Sequence, residues 1–175
     1  MAEFILICFL LFYILIFGTM LWAVFSAAPW VPSRKKDLAM VIQAVAIKPG
    51  DTVFDLGCGD GRWLWAMAKK TPAKKIIGFE ISFLFYFWCR IKILFSNYPH
   101  VKVEFKNFFK VDLSQADVVL CFLTPPAMKK LDLKLRKEMK KGGNFISYAF
   151  SLPSKTPEKV FKVSQKSIPI YLYKF

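Results

Sequence analysis

Asp55, Gly57, Gly59 and Gly61 stand at alternate positions in Val53-Phe54-Asp55-Leu56-Gly57-Cys58-Gly59-Asp60-Gly61, a spacing that can hold a nucleoside-bearing ligand against bare backbone. Val53 to Leu56 reads as a buried strand, and the glycines as the loop that leaves it. Such a loop must turn sharply, adopt dihedral angles closed to other residues, and lie under a ligand with no side chain between them. Arg62 to Lys70 reads as a helix whose free N-terminal amides would face the same ligand. A dinucleotide fingerprint needs a third glycine where Arg62 stands, so the spacing argues against NAD. Lys75 to Glu80 reads as a second buried strand, ending in an acid nineteen residues after Gly61. A carboxylate there is placed to accept both hydroxyls of a ribose. A tight turn followed by a solvated glutamate is the competing structural reading.

Asp55 ahead of the three glycines resembles the first motif of class I S-adenosylmethionine-dependent methyltransferases. That cofactor carries an ammonium and a carboxylate on its methionine arm, which suits backbone amides with an acid nearby. The resemblance implies a cofactor pocket of Asp55, Gly57, Cys58, Gly59 and Gly61, closed by Glu80 and Ile81. It also implies that Asn107, after the third strand, meets the adenine edge while Phe108 offers the ring an apolar surface. An asparagine turn closing the strand is the alternative. Leu123-Thr124-Pro125-Pro126-Ala127 follows the fourth strand, where the reactive methyl should emerge. Amino-directed nucleic-acid methyltransferases carry Asp or Asn, two prolines and an aromatic there, the ring stacking the flipped base. Only the prolines are kept here, which lowers a nucleic-acid reading.

These residues need a scaffold, and the chain supplies a regular alternation after Ser33. Lys35 to Ala46 reads as an amphipathic helix with Leu38, Val41, Ile42 and Val45 on one face. Strands follow at 52–56, 75–80, 101–106, 117–123 and 144–150, with helices at 61–70, 82–96 and 125–140 between them. Such alternation predicts a parallel sheet covered on both faces, with ligands at the carboxyl ends of its strands. Two further strands, 159–164 and 168–174, leave no room for a helix between them and predict an antiparallel hairpin. The expected fold is α/β: a Rossmann-like class I methyltransferase with a mostly parallel seven-stranded sheet ending in that hairpin. The helix usual before the sixth strand is replaced by the proline-bearing loop Ser151-Leu152-Pro153-Ser154.

Of the 175 residues 55% are hydrophobic and 17% aromatic, more than an ordinary domain needs. The excess lies at the front, where Phe4 to Phe25 holds no charged residue. At about 1.5 Å per residue that run matches a hydrocarbon core of about 30 Å. The expectation is a transmembrane helix over about 4–25 in an N-terminal anchor of residues 1–30, ahead of a methyltransferase domain over 31–175. A cleavable signal ending near Ser26-Ala27-Ala28 is the rival, but the start Met1-Ala2-Glu3 is not basic. Arg34, Lys35 and Lys36 follow the span, so the positive-inside rule places a single-pass protein in the cell membrane with its catalytic domain on the cytoplasmic side.

A formal charge of +14, from 26 basic against 12 acidic residues, is a field that nucleic acid or anionic lipid would feel. Lys129, Lys130, Lys134, Arg136, Lys137, Lys140 and Lys141 crowd one helix and its end, and lipid headgroup contact is expected of them beside a solvated face. The helix carrying Phe83, Leu84, Phe85, Tyr86, Phe87 and Trp88 is aromatic all round. Its outer side is expected to rest on a membrane or an integral-membrane substrate, or to make a thick core contact. Cys8, Cys58, Cys89 and Cys121 are far apart, and His100 is the only histidine, so neither a disulfide framework nor a metal site is expected.

From about Pro29 to Phe150 the chain is similar to the small membrane-anchored lysine methyltransferases, the family that includes the mitochondrial ATP synthase c-subunit lysine methyltransferase. The apolar run before Trp30-Val31-Pro32-Ser33 carries that likeness, with Asp55 to Arg62, Gly78-Phe79-Glu80, Asn107-Phe108-Phe109 and Leu123 to Pro126. It implies that Pro32 and its neighbours help form the cofactor pocket and substrate entrance. N-methylation of a protein lysine, with Thr124 and Pro125 positioning the amine, is the implied chemistry. Asn107 departs from the aspartate that relatives often carry. A nucleic-acid or small-molecule methyltransferase and a catalytically silent binding module are the other readings.

Overall fold

The computed structural model describes residues 1–26, 31–44, 46–162 and 167–175, with side chains along the first helix described as far as Gly18. Among the described residues five α-helices and seven strands run in the order α1 (Ala2–Ser26), α2 (Lys35–Ala44), β1 (Thr52–Leu56), α3 (Arg62–Lys70), β2 (Lys75–Glu80), α4 (Phe83–Leu94), β3 (Val101–Phe105), β4 (Val118–Cys121), α5 (Pro125–Glu138), β5 (Asn144–Tyr148), β6 (Lys159–Phe161) and β7 (Ile170–Lys174). The strands form one sheet of order β3-β2-β1-β4-β5-β7-β6. The first five are parallel, while β7 runs antiparallel to both β5 and β6, as the close spacing of the last two strands predicts.

Neighbouring residues of one strand, such as Val53 and Phe54, are both buried because helices cover both faces of the sheet. One core joins Val53, Ile76, Val118 and Ile146 to α2 and α3 through Val41, Trp63, Leu64 and Met67. The other joins Phe54, Leu56, Phe79, Val119 and Phe145 to α5 through Met128, Leu131 and Leu135. Strand order reverses between β1 and β4, so the crevice of a parallel sheet falls at their carboxyl ends. The glycine loop leaves one of those ends and Leu123-Thr124 the other.

Several boundaries are shorter than periodicity suggests. β5 stops at Tyr148 because Ala149 takes φ +79°, outside extended conformation. The described residues between β5 and β6 hold no helix, in agreement with the proline-bearing loop. Residues 163–166, within the expected sixth strand and turn, lie outside the described residues. Most of α4 stays outside the core: Cys89 is buried, whereas Leu84, Phe87 and Trp88 are exposed, and Phe83 and Tyr86 pack on Phe105.

The membrane expectation is corrected. Among the described residues no helix is long and apolar enough to cross a membrane. The described side chains of α1, Ala2 to Gly18, cover about 25 Å of helix against a hydrocarbon core of about 30 Å. A single-pass location in the cell membrane with a cytoplasmic catalytic domain therefore falls, and the membrane as a partner loses its support. Part of the basic field of α5 and the residues just after it is also spent internally. Lys134 pairs with Glu138 at 2.6 Å, Arg136 with Asp132 at 3.3 Å and Lys140 with Asp117 at 2.5 Å.

Candidate active site

The glycine loop is built from left-handed backbone. Gly57, Gly59 and Gly61 have φ of +78°, +54° and +77°, angles that L side chains rarely adopt. At Gly61 space is also decisive, since a Cβ there would lie 2.8 Å from Trp65 Nε1 and 2.9 Å from Cys89 Sγ. Gly78, in the middle of β2, makes room in the same way: a Cβ would meet Cys58 Sγ at 2.7 Å and Leu64 Cδ1 at 2.8 Å. The sequence marks Gly78 only as part of Gly78-Phe79-Glu80, and nothing in that stretch announces this packing role.

The loop amides point inward rather than outward. Gly57 and Cys58 N–H donate to the Phe79 carbonyl at 2.9 and 3.1 Å, and Gly61 N–H to the Cys58 carbonyl at 2.9 Å. Gly59 N–H donates to Glu80 Oε2 at 2.8 Å, while Glu80 Oε1 accepts from Ile81 and Ser82 amides at 2.8 and 2.7 Å. Glu80 is thus the peg on which the loop hangs. Burial pushes its carboxyl above the usual range, against the pull of those three amides.

Asp55 ends up 2% exposed at the close of β1, opposite Gly78 and Leu120 in the sheet register. Burial first, then the charges of Glu80 and Asp60, hold its carboxyl well above the ordinary aspartate range. Its Oδ2 has no hydrogen-bond partner. A buried carboxylate oxygen left in that condition calls for a cationic donor, which is what the ammonium of a methionine arm supplies. The donor set therefore fits S-adenosylmethionine at this place. Among the described residues no group of three or more His, Cys, Asp or Glu side chains could hold a metal ion.

Arg62, the residue that breaks the dinucleotide spacing, ties the segment before α2 to the loop. Its guanidinium pairs with Asp60 at 2.6 Å and donates to the Ser33 carbonyl. Asp60 is partly buried, which pushes its carboxyl up, but the Arg62 hydrogen bond outweighs this and leaves it below the usual range. Ser33 is buried, and its Oγ accepts from Trp63 Nε1 at 2.7 Å. Pro32 itself is exposed beside this anchor. Ser33 and Trp63 are thirty residues apart, and no local pattern announces their contact.

Asn107 caps the short turn Phe108–Lys110, its Oδ1 accepting from Phe109 N–H at 2.9 Å. Phe108 is 5% exposed and turned into the core on the α5 side, 4.5 Å from the Phe109 ring. Leu123 is buried, with its Cδ2 3.5 Å from where a Gly57 Cβ would stand, so the end of β4 adjoins the loop. Thr124 is the N-cap residue of α5, its carbonyl accepting from Met128 N–H at 2.9 Å, and Pro125 opens the helix exposed. Ala127 is buried and offers no ring.

Sheet order, inward-turned glycine loop and terminal acids define a class I S-adenosylmethionine-dependent methyltransferase. Solved structures share the architecture. An RNA methyltransferase from Salinibacter ruber in complex with S-adenosyl-L-homocysteine has a TM-score of 0.76 at 23% identity, over 82% of this chain and 93% of that one. An rRNA methylase from Streptococcus thermophilus has a TM-score of 0.60 at 11% identity, over 83% and 99%. These likenesses show the fold.

Residues 55–159 match the ANTKMT methyltransferase domain, and the chain belongs to that family. It is 34% identical over 153 residues to a protein-lysine N-methyltransferase of Saccharolobus islandicus, covering 83% of this chain and 92% of that protein. It is 29% identical over 133 residues to the adenine nucleotide translocase lysine N-methyltransferase of Mus musculus, covering 75% of this chain and 57% of that one. The chain thus spans little more than half the length of the mouse relative.

Proposed function

We propose that this methyltransferase N-methylates lysine side chains of a protein substrate. The observation that carries the reading is the 34% identity to the Saccharolobus islandicus protein-lysine N-methyltransferase over nearly that protein's full length. The cofactor is S-adenosylmethionine. Asp55 receives its ammonium, Glu80 with Ile81 takes the ribose end, and Gly57, Cys58, Gly59 and Gly61 form the floor. Asn107 lines the adenine end, backed by the core-facing Phe108, Leu123 closes the side toward β4, and Pro32 lies over the entrance.

When bound, the cofactor supplies a sulfonium-activated methyl: the amine lone pair forms the new N–C bond, the C–S pair returns to sulfur, and the positive charge passes to nitrogen. A lysine amine, with a pKa near 10, must shed its proton and its water before it can attack. The apolar surface at the end of β4, with Leu123 buried and Phe122 half-buried, favours the neutral amine by desolvation. Thr124 and Pro125 position that amine. A dedicated general base is not required by this scheme.

Tritiated S-adenosylmethionine, incubated with the full chain and a cell extract, tests the reading. Acid hydrolysis of the labelled product should release methylated lysine, and protease should destroy the labelled polymer. Label removed by nuclease instead would contradict it.

A further inference from the structure

α4 is apolar on two opposite sides, and the protein uses only one of them. Tyr86, Cys89 and Ile93 stand on the inner side, where Cys89 is buried and the other two pack against the core. Leu84, Phe87, Ile91 and Leu94 stand on the outer side, at intervals of three, four and three residues. With about 3.6 residues per turn, that spacing lines the four up in one ridge. The ridge is open: Leu84, Phe87 and Leu94 are 41%, 52% and 75% exposed, with Ile91 half-buried between them. α1 also touches α4, yet leaves these side chains uncovered.

Rings border the ridge and hold one another in place. Phe83 stacks on Phe87 at 6.1 Å and meets the exposed Phe105 of β3 edge-on at 6.0 Å. Trp88 lies under Lys92, whose Nζ is 4.9 Å from the ring centre. The side chains that a partner would meet are therefore already ordered, which lowers the entropy cost of docking.

An apolar ridge at intervals of three and four residues is the seam that one helix offers another in a coiled coil. Charges beside such a seam select the partner. Arg90, exposed, stands beside this one, and Lys92 is the other charged residue of α4; the helix holds no acid. A formal +14 on every copy sets two copies of the chain against each other. A lipid surface, for its part, has no use for a register. We infer that the outer ridge of α4 docks an amphipathic helix of a partner protein, one with apolar residues at heptad spacing and Asp or Glu along their flanks. The 12 residues of α4 make about three turns, so about two heptads of the partner would be in contact. The ridge lies outside the cofactor site, and the inference holds whichever residue the enzyme methylates.

Two fluorescent peptides test it against the full chain by anisotropy. One has three repeats of Glu-Ile-Ala-Ala-Leu-Glu-Lys, the other three repeats of Lys-Ile-Ala-Ala-Leu-Lys-Glu, so that they share a seam and differ in the charge of its flanks. The acidic peptide should bind at least tenfold more tightly than the basic one. Phe87→Gln and Leu94→Gln should each weaken it at least tenfold, with thermal midpoint and S-adenosylmethionine affinity unchanged, and Arg90→Glu should narrow the preference between the peptides. Absence of binding by the acidic peptide, or binding indifferent to Phe87→Gln and Leu94→Gln, would overturn the inference. So would sedimentation showing a dimer that both variants dissolve, which would make a second copy the occupant. Phosphatidylglycerol vesicles bound through the same residues, with the acidic peptide unbound, would assign the ridge to lipid and overturn it equally.

Discussion

Glu80 Oε2 holds the amide of Gly59 at 2.8 Å, binding the end of β2 to the middle of the glycine loop. With Ile81 and Ser82 amides on its other oxygen, this carboxylate fixes the loop's conformation before any ligand arrives. Preorganisation of that kind is what lets a flexible glycine run bind at all.

Glu80→Gln replaces one acceptor oxygen with an amide donor, and at least one loop amide loses its partner. Hydrogen bonds to charged groups contribute about 1.5–3 kcal/mol each. The variant should unfold about 2 kcal/mol more easily and bind S-adenosylmethionine at least tenfold more weakly. Denaturant titration and calorimetry check both.

Asp55→Asn should act in opposite directions on stability and on binding. The folded chain holds the Asp55 proton more tightly than the unfolded chain does, because its carboxyl is raised by burial and by Glu80 and Asp60. Its contribution to stability is therefore complete below the ordinary aspartate value and is lost as pH rises through the raised folded value. At neutral pH the ligand-free variant should be more stable than wild type, with a flatter dependence on pH. Its cofactor affinity should fall at least tenfold. Chemical denaturation between pH 4 and pH 8, run without ligand, reads the first effect.

Gly61→Ala and Gly142→Ala share a left-handed backbone, with φ of +77° and +82°. The second has nothing within 4 Å of its new Cβ, whereas the first meets Trp65 and Cys89 below 3 Å. Gly142→Ala should cost about 1–2 kcal/mol of backbone strain. Gly61→Ala should cost clearly more and also reduce cofactor binding, as paired melting curves and calorimetry would show.

Ser33→Ala leaves the Trp63 indole N–H without its acceptor inside the protein. A loss of about 1–3 kcal/mol is expected. Since the segment beside Pro32 is then tied less firmly to α3, cofactor affinity should fall by several-fold. Ser33→Thr, which keeps the hydroxyl, should restore much of it.

Much of this fold is legible locally. Strand and helix alternation after Ser33 predicts the parallel sheet, and two strands too close for a helix predict the hairpin. The Asp55 to Gly61 loop and the acid at Glu80 declare themselves because each is a short motif at a strand end. The contacts that escape such reading are long-range: Tyr148 and Asp37 are 111 residues apart, and Trp63 reaches Ser33 across thirty. Asn107 shows a third difficulty, since an asparagine after a strand serves equally as a turn cap, and here its oxygen does cap one. An apolar run such as Phe4 to Phe25 records only that its residues are apolar, and among the described residues no helix is long and apolar enough to bear out the span expected over it.

Co-crystallisation with S-adenosylhomocysteine tests the central claim most directly. The ligand should lie at the carboxyl ends of β1 and β4, its amino group on Asp55 Oδ2 and its ribose beside Glu80. A ligand found elsewhere on the chain, with Asp55 Oδ2 still unpartnered, would contradict the placement of the site and the chemistry built on it.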